Sequence, residues 1–258
     1  MMGLLCFIIS LSLSAQDDIY HPEVIRPVLL DKSALSGIGL EKVQLKDTPD
    51  RDFWQKNLFR GKEISVYVVS SESWTVPFDG FWFDEFIYIL QGSARVGTPY
   101  GDLHFQSGEY FYAPKGFKGA WEVRAGDHPH YELSVITNKR ADPGKKNMYQ
   151  TPGLLNPHVL SGSHIELNER GLYEDILFKG IELTIKMKVE APRSISVLEP
   201  HKEQLICLLT GQLVMKDSEG ATYHFHSGDY IAIPHGFVGS WESQGHGIVK
   251  YITVEEST

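Results

Sequence analysis

Cysteine is scarce in this chain of 258 residues, which contains only Cys6 and Cys207. If an N-terminal leader is removed, Cys207 alone remains, so no disulfide can form within the mature chain. Cys207 lies in an apolar run and is expected to be a small buried hydrophobe. The chain also lacks a long run of Lys and Arg, and its net charge is −9. Nucleic acid and anionic membrane surfaces are therefore poor candidates as partners.

The N-terminus lacks an apolar run long enough to cross a bilayer, but it has a shorter one. Residues 4–13 are mostly apolar, and Ser14 and Ala15 are followed by the polar, acidic stretch 16–18. This order is typical of a secretory signal peptide, although no Lys or Arg precedes the apolar run. We predict that residues 1–15 are a leader. The mature protein is then exported, periplasmic or secreted, with no stable membrane insertion.

Long helical periodicity is also absent. Short runs rich in β-branched and aromatic residues, such as 64–69, 86–90 and 110–113, are separated by Gly, Pro, Asp or Ser. This pattern predicts strands. Helix is expected only in short pieces, near 52–58 and 168–177. Many short strands in each unit of about 100 residues predict an all-β fold built as a small closed barrel or jelly roll.

Two collinear segments of the chain occur twice. LFRGKEISV at 58–66 recurs as LFKGIELTI at 177–185, an offset of 119 residues. GEYFYAPKGFKGAWE at 108–122 recurs as GDYIAIPHGFVGSWE at 228–242, an offset of 120, with eight of fifteen positions identical. An internal repeat of this kind predicts two tandem domains of the same fold.

The segment between the two copies has the composition of a linker. Residues 138–157 hold three prolines and two glycines. Such a cluster is typical of a connecting segment. We therefore predict an N-terminal domain over 16–150 and a C-terminal domain over 151–258.

Both copies resemble the cupin superfamily in their Gly, Pro and Glu spacing. The first cupin motif ends in a Glu, six residues and a Gly, a spacing that Glu85 and Gly92 keep. Gln204 and Gly211 stand at the same spacing in the second copy. The second motif is a Gly, five residues and then Pro-x-Gly. It is matched by Gly108, Pro114 and Gly116, and by Gly228, Pro234 and Gly236.

A closer resemblance is to the ureidoglycine-aminohydrolase-like cupins. It lies in EFIYILQG at 85–92 and in the spaced Pro-Gly-Phe-Gly-Trp-Glu-Val of residues 114–123, and the second copy keeps much of the same pattern. The resemblance implies an all-β protein of two tandem cupin domains. It also implies a metal-dependent enzyme that releases ammonia from a ureido substrate.

The histidines of a cupin metal site are missing. An active cupin binds a divalent metal such as Mn through a His-x-His pair, a Glu and a later His. The slot upstream of Glu85 has no histidine, and the later position is Gly119, or Gly239 in the second copy. His201 precedes Gln204 one place out of register. The metal candidates are therefore Glu85, His201 and Gln204, too few to favour a tightly bound cofactor.

Two histidine pairs lie outside those motifs. His224 and His226 precede the second motif, and His128 and His130 flank a proline. A lone pair falls short of the three or four ligands that a metal site needs, so we expect surface or hairpin histidines.

Glu85 is a candidate ligand-binding residue because the cupin register turns it into the barrel. Strand alternation then turns Ile87 and Ile89 inward as well. A carboxylate beside isoleucines is costly to bury, so its pKa is expected to rise. Two interpretations stay open, a ligand-binding or acid/base carboxylate and a residue at the barrel mouth bonded to a Trp or Tyr.

Two tryptophans and a lysine are further candidates. Trp121 and Trp241 lie two residues beyond Gly119 and Gly239, which are expected to leave room on the same inward face. The indole rings either stack on a flat ligand or fill that room. Lys250 either meets an anionic ligand or is a solvated strand lysine. The predicted ligand-binding set is Glu85, Trp121, Gln204, Trp241 and Lys250.

The stretch 74–88 is unusually aromatic, and we expect it at the interface between the halves or between subunits of a homodimer. The alternative is that some of these rings line a ligand site. Three functions stay open. The first is small-molecule binding in one or both barrels without the metal histidines. The second is the metal-dependent aminohydrolase-like activity that the resemblance implies. The third is a structural or interaction module that docks through the aromatic stretch.

Overall fold

The computed structural model describes residues 25–44, 51–142, 144–162, 165–197, 202–245 and 247–257. The predicted leader and His201 lie outside these residues. Strand makes up 56% and helix 4% of the structure, so the predicted all-β class is confirmed. Among the described helices, none is long and apolar enough to cross a membrane.

The described part of the first half contains eleven strands and one short helix. They are β1 (Val28–Leu29), α1 (Lys32–Leu35), β2 (Glu41–Val43), β3 (Phe53–Arg60), β4 (Ile64–Ser71), β5 (Trp74–Asp79), β6 (Glu85–Gln91), β7 (Ser93–Thr98), β8 (Gly101–Gln106), β9 (Tyr110–Ala113), β10 (Lys118–Arg124) and β11 (His130–Thr137).

The second half repeats this order, without a counterpart of β2 among its described residues. Its elements are β12 (Gly153–Leu154), α2 (Pro157–Ser161), β13 (Leu172–Lys179), β14 (Leu183–Glu190), β15 (Arg193–Val197), β16 (Gln204–Thr210), β17 (Gln212–Lys216), β18 (Thr222–His226), β19 (Tyr230–Ile233), β20 (Gly239–Gln244) and β21 (Val249–Glu256).

Each half is a barrel made of a large and a small sheet. In the N-terminal half the orders are β12-β9-β6-β11-β4-β3-β2 and β5-β10-β7-β8. In the C-terminal half they are β1-β19-β16-β21-β14-β13 and β15-β20-β17-β18. Pro77 lies in β5, an edge strand, where a residue without an N–H is tolerated. The prediction of two tandem barrels is confirmed.

The two large sheets pack against each other, so the structure has four layers. Their shared core contains Phe86, Leu133, Leu205 and Ile252, together with Cys207, which is buried as predicted. The opposite face of each large sheet covers its own barrel. Both faces of the central strands are therefore buried, and β4 is buried over its whole length.

Each barrel interior is a separate core between a large and a small sheet. In the N-terminal barrel it contains Ile87, Ile89 and Trp121. In the C-terminal barrel it contains Ile206 and Trp241. The predicted inward direction of Ile87, Ile89 and both tryptophans is confirmed.

The halves exchange strands at their edges. β1, from the N-terminal half, pairs with β19 of the C-terminal sheet. β12 follows the predicted boundary at residue 150 and pairs back with β9 of the N-terminal sheet. The domain limits drawn from the sequence stay predictions, because each large sheet includes a strand from the other half.

A buried carboxylate from each half binds the backbone of the other half. Oxygens of Glu203 accept hydrogen bonds from the N–H groups of Lys62, Glu63 and Ile64, at 2.9, 2.9 and 2.6 Å. The Glu63 carboxylate in turn accepts the N–H of Glu203 at 3.1 Å and contacts Nδ1 of His235 at 2.7 Å. Backbone donors buried between the halves are thereby satisfied.

The equivalent residues of the repeat form the mirror contact. Asp84 accepts the N–H groups of Glu182 and Leu183, at 2.6 and 3.2 Å, and of Lys115 at 2.8 Å. A Cβ atom at Gly180 would collide with the Asp84 carboxylate, and one at Gly61 with that of Glu203. The glycine of the repeated Gly-x-Glu sequence is thus required by the acidic contact from the other half.

The two short helices expected from the sequence are absent. Residues 53–60 form β3, and residues 172–179 form β13. Each pairs with a long neighbour, β3 with β4 and β13 with β14. Pairing with a distant strand outweighs the weak local preference of these segments.

Candidate functional site

A cavity of about 90 Å³ lies in the N-terminal barrel. Its wall is mostly aromatic and aliphatic, with two carboxylates. The lining residues are Phe53, Tyr67, Val69, Ser71, Trp74, Val76, Phe78, Phe81, Trp82, Phe83, Glu85, Trp121, Val123 and Glu132. The volume is enough for several water molecules or a small organic group.

Glu85 is the first residue of β6, and its side chain points into this barrel, as predicted from the sequence. Its neighbours at every second position, Ile87 and Ile89, lie in the barrel core, while Phe86 packs in the core between the halves. Across the ladder, Ile87 is paired with Ser134 and Ile89 with Glu132 of β11. Strand alternation therefore brings Glu85, Ser134 and Glu132 to one inner face.

The Glu85 carboxyl group is buried and perturbed. The hydroxyl of Ser134 donates a hydrogen bond to its Oε1. The side chain is only 7% exposed. Burial, followed by the negative charge of Glu132, raises its pKa from 4.5 to about 8. At neutral pH the group is therefore largely protonated.

A second acidic residue faces the cavity beside Glu85. Glu132 Oε2 lies 2.9 Å from Nε2 of His130, which is two residues earlier on β11 and almost fully buried. The other ring nitrogen of His130, Nδ1, is buried without a hydrogen-bond partner among the described residues. His130 does not line the cavity, so its contact with Glu132 holds that carboxylate from the side away from the cavity.

Tyr67 of β4 completes the polar part of the site. It is paired with Ser134 across the ladder, and its side chain is 3% exposed. Burial and the nearby Glu85 carboxylate raise the pKa of the phenol. Its hydroxyl lies close to Glu85 and Ser134 but forms no hydrogen bond of normal geometry with any described residue. The cavity thus contains a buried donor that a ligand can satisfy.

The aromatic stretch mostly lines this cavity and not the interface between the halves, while an interface between subunits stays a prediction. Five of its seven rings, those of Trp74, Phe78, Phe81, Trp82 and Phe83, belong to the N-terminal barrel. The Phe81 ring stacks on that of Trp121 with centroids 6.1 Å apart and planes 12° apart. Of the seven, Phe86 and Tyr88 pack between the halves.

The C-terminal barrel carries different side chains at the equivalent positions. The ladders superpose Gln204 on Glu85, Thr253 on Ser134 and Tyr251 on Glu132. The acidic pair is therefore replaced by an amide and a phenol. The counterpart of Tyr67 is Lys186, whose ammonium group is paired with Glu255 at 2.8 Å.

The structure does not bring the five predicted ligand-binding residues together. Glu85 and Trp121 line the N-terminal cavity. Gln204 and Trp241 are buried in the other barrel, where Trp241 Nε1 donates to Glu190 at 3.2 Å. Lys250 lies beside α2 and donates to the Ser161 carbonyl oxygen at 2.5 Å.

Gly119 and Gly239, which stand where the cupin motif has its later histidine, do not leave room for a larger side chain. A Cβ atom at Gly119 would collide with the carbonyl oxygen of Gly97, and one at Gly239 with that of Lys216. The expectation that these glycines leave room is therefore wrong, because a neighbouring strand approaches too closely.

The donor set does not fit a bound metal in the described part of the chain. No cluster of three or more His, Cys, Asp or Glu side chains is found there. The metal candidates Glu85 and Gln204 lie in separate barrels, and His201 lies outside the described residues. His224, His226 and His128 are exposed, as expected. His130 is not a surface histidine, since it is 1% exposed.

The architecture and this site define a class, the bicupin, with two cupin domains in tandem. The family described as EutQ-like cupin domain matches residues 74–131 and again residues 187–251. These two matches fall in the two barrels and confirm the cupin assignment for each. Comparison with curated proteins finds no match.

Solved structures share this architecture at low sequence identity. A protein with unknown function from Pseudomonas syringae pv. tomato has a TM-score of 0.63 at 17% identity, over 89% of this chain and 99% of its own. A putative glyoxylate-induced protein from Pseudomonas aeruginosa has a TM-score of 0.62 at 12% identity, over 94% and 92%. A cupin 2 conserved barrel domain protein from Leptotrichia buccalis has a TM-score of 0.58 at 10% identity, over 93% and 100%. At these identities the likeness shows the fold alone.

Proposed function

We propose that this protein binds a small organic molecule in its N-terminal barrel, and that the C-terminal barrel serves mainly as a structural partner. The observation that carries the proposal is the aromatic cavity with Glu85 on its wall. A concave apolar site with a few convergent polar groups and a perturbed pKa is the usual form of a ligand site.

The two other functions have less support. The resemblance to the ureidoglycine-aminohydrolase-like cupins is a hypothesis about the finer family. Its metal-dependent activity needs ligands that the described residues do not bring together. A docking module needs the aromatic stretch on the surface, whereas Phe81 and Phe83 are buried in the barrel.

Fluorine NMR tests the proposal, because the chain contains five tryptophans. The protein is labelled with 5-fluorotryptophan and screened against a library of small fragments. Fragments that bind in the cavity should shift the resonances of Trp74, Trp82 and Trp121 and leave that of Trp241 in place. Substituting each tryptophan in turn by Phe assigns the signals. A library that shifts no resonance, or shifts only that of Trp241, contradicts the proposal.

Export and a homodimer are further proposals. The apolar run and small residues before residue 16 support export. N-terminal sequencing of protein purified from the expressing cells tests it, since a chain that retains residues 1–15 contradicts cleavage. Light scattering coupled to gel filtration tests the homodimer.

A further inference from the structure

We propose that the ligand of the N-terminal cavity is a small organic ammonium ion, held between the aromatic rings and the carboxylates of Glu85 and Glu132. This inference rests on the proposed function and names its ligand class. It is carried by the charges of the wall, the geometry of the rings, an unsatisfied buried hydroxyl and a comparison with the second barrel.

The wall of the cavity has only acidic charge. Glu85 and Glu132 line it, and no Lys, Arg or His is among the described lining residues. Glu132 raises the pKa of Glu85, so the two carboxylates repel each other in the absence of a counter-ion. A cation between them removes this repulsion, whereas an anion increases it.

The remaining wall consists largely of aromatic faces. Phe81 and Trp121 stack, and Phe83 lies 5.0 Å from Phe81 in an edge-on arrangement. Trp74, Phe78 and Trp82 are partly exposed, and the guanidinium groups of Arg51 and Arg140 lie over the Trp74 and Phe83 rings at 5.3 and 4.7 Å. The face of an aromatic ring attracts a cation, and groups of such rings bind ammonium ligands more strongly when water is excluded.

Tyr67 is an independent sign that the cavity is built for a polar ligand. Tyr67 lines the wall and is almost fully buried, and its hydroxyl lies beside Glu85 and Ser134 without a hydrogen bond of normal geometry to a described residue. Buried polar groups are rarely left without a partner. A hydroxyl or carbonyl group on the ammonium ligand can supply the missing bond.

The second barrel serves as an internal comparison. Gln204 and Tyr251 occupy the positions of Glu85 and Glu132 there, so both carboxylates are gone. A cation is already present in the form of Lys186, which is paired with Glu255. The two barrels share the same scaffold, but the buried carboxylate of the C-terminal barrel, Glu190, is already paired with Arg193 and accepts a hydrogen bond from Trp241.

Choline and its uncharged isostere, 3,3-dimethyl-1-butanol, separate charge from shape. Both are titrated into the full-length protein by calorimetry and by fluorotryptophan NMR at about pH 8.5. Because a cation–π contact strengthens when the cation is desolvated, choline should bind at least about tenfold more tightly than the alcohol. The isostere should still shift Trp121, because it fits the same cavity.

Glu85→Gln and Glu132→Gln each remove one carboxylate with little change of shape. In either variant the preference for choline should fall by about tenfold, towards equal binding of the two probes. Glu122→Gln is the matched control, because Glu122 lies beside Trp121 on β10 but pairs with Arg95 and Arg124. It should keep the full preference. Circular dichroism and a melting curve confirm that each variant is folded.

The affinity for choline should also rise with pH. The groups around Glu85 are Tyr67 of β4 and Glu132 and Ser134 of β11. Arg140, which does not line the cavity, acts through its charge and lowers the pKa of Glu85. Ionisation of Glu85 between about pH 6 and pH 9 adds a negative charge and strengthens cation binding. The Glu85→Gln variant should lose most of this dependence.

The outcomes separate the two proposals. Equal affinities for choline and the alcohol, or tighter binding of the anion 3,3-dimethylbutyrate, overturn the ammonium assignment while small-molecule binding stands. The assignment also falls if fragments bind in the cavity but choline does not. If neither these probes nor any fragment shifts Trp121, the proposed function itself fails.

Discussion

The hydroxyl groups of Tyr110 and Tyr230 meet at 3.0 Å across the interface between the two barrels. The two residues are equivalent in the repeat, 120 positions apart, so their contact marks the local twofold axis that relates the halves. Burial raises the pKa of both phenols, which therefore stay neutral.

This pair predicts a non-additive effect of substitution. Tyr110→Phe and Tyr230→Phe should each lower the free energy of unfolding by about 1–2 kcal/mol, because each leaves one buried hydroxyl without its partner. The double variant should lose less than the sum of the two, since both hydroxyls are then gone. Urea unfolding of the four proteins measures the coupling. Strictly additive losses would show that the contact has no energetic role.

The acidic contacts beside this axis predict a larger effect. Asp84→Ala should lower the free energy of unfolding by at least about 3 kcal/mol, because the N–H groups of Glu182, Leu183 and Lys115 lose a charged acceptor. Asp79→Ala is the control, since Asp79 is 93% exposed and pairs only with Lys118 at the surface. Equal losses in the two variants, measured in urea, would contradict a special role for Asp84.

The raised pKa of Glu85 predicts how stability depends on pH. Its pKa is about 8 in the folded state against 4.5 as the ordinary value, so the folded state binds one more proton between these limits. Glu85 alone therefore lowers the free energy of unfolding by up to about 1.4 kcal/mol per pH unit as pH rises through this range.

Glu85→Gln removes that term and should be relatively more stable than the wild type at pH 8.5 than at pH 5. Parallel urea titrations of both proteins at several pH values measure the difference. A difference that does not change with pH would mean that Glu85 has an ordinary pKa.

The glycine at the later metal position predicts that a metal site cannot be restored by one substitution. Gly119→His should destabilise the protein by at least about 2 kcal/mol, because the side chain meets the backbone of the next strand. It should also take up no Mn or Ni. Gly144→His is the control, since a Cβ at Gly144 meets no atom within 4 Å. A stable Gly119→His protein that binds one equivalent of metal would refute this explanation of the glycine.

The repeat and the strand signals were sufficient to predict the two barrels, and the register implied by the cupin resemblance predicted the inward direction of Glu85 and Trp121. Local sequence patterns gave the wrong secondary structure where pairing with a distant strand determines it. Residues 53–60 and 172–179 are strands because long neighbours bind them, and nothing within those segments shows this.

The polar part of the site was missed for a related reason. His130, Glu132 and Ser134 alternate with Tyr131, Leu133 and Val135 along β11. Such alternation ordinarily indicates a polar face in water. In this structure β11 is buried on both faces. The second barrel covers the outer face, which carries Leu133 and Val135. The polar residues therefore lie on the face that points into the N-terminal barrel.

The contacts between the halves could also not be predicted from the sequence. Asp84 binds the backbone of Glu182 from 98 positions away. The repeated Gly-x-Glu sequence was the available signal, but only the structure shows that a carboxylate from the other copy sits against that glycine.

The central claim is that the N-terminal cavity, and not the C-terminal barrel, holds the ligand. Its most direct test is a high-resolution crystal structure of the protein soaked with choline. The account predicts density for the trimethylammonium group between Trp121 and the carboxylates of Glu85 and Glu132, and no choline beside Gln204. Choline bound next to Gln204, or a metal ion coordinated in the N-terminal barrel, would contradict it.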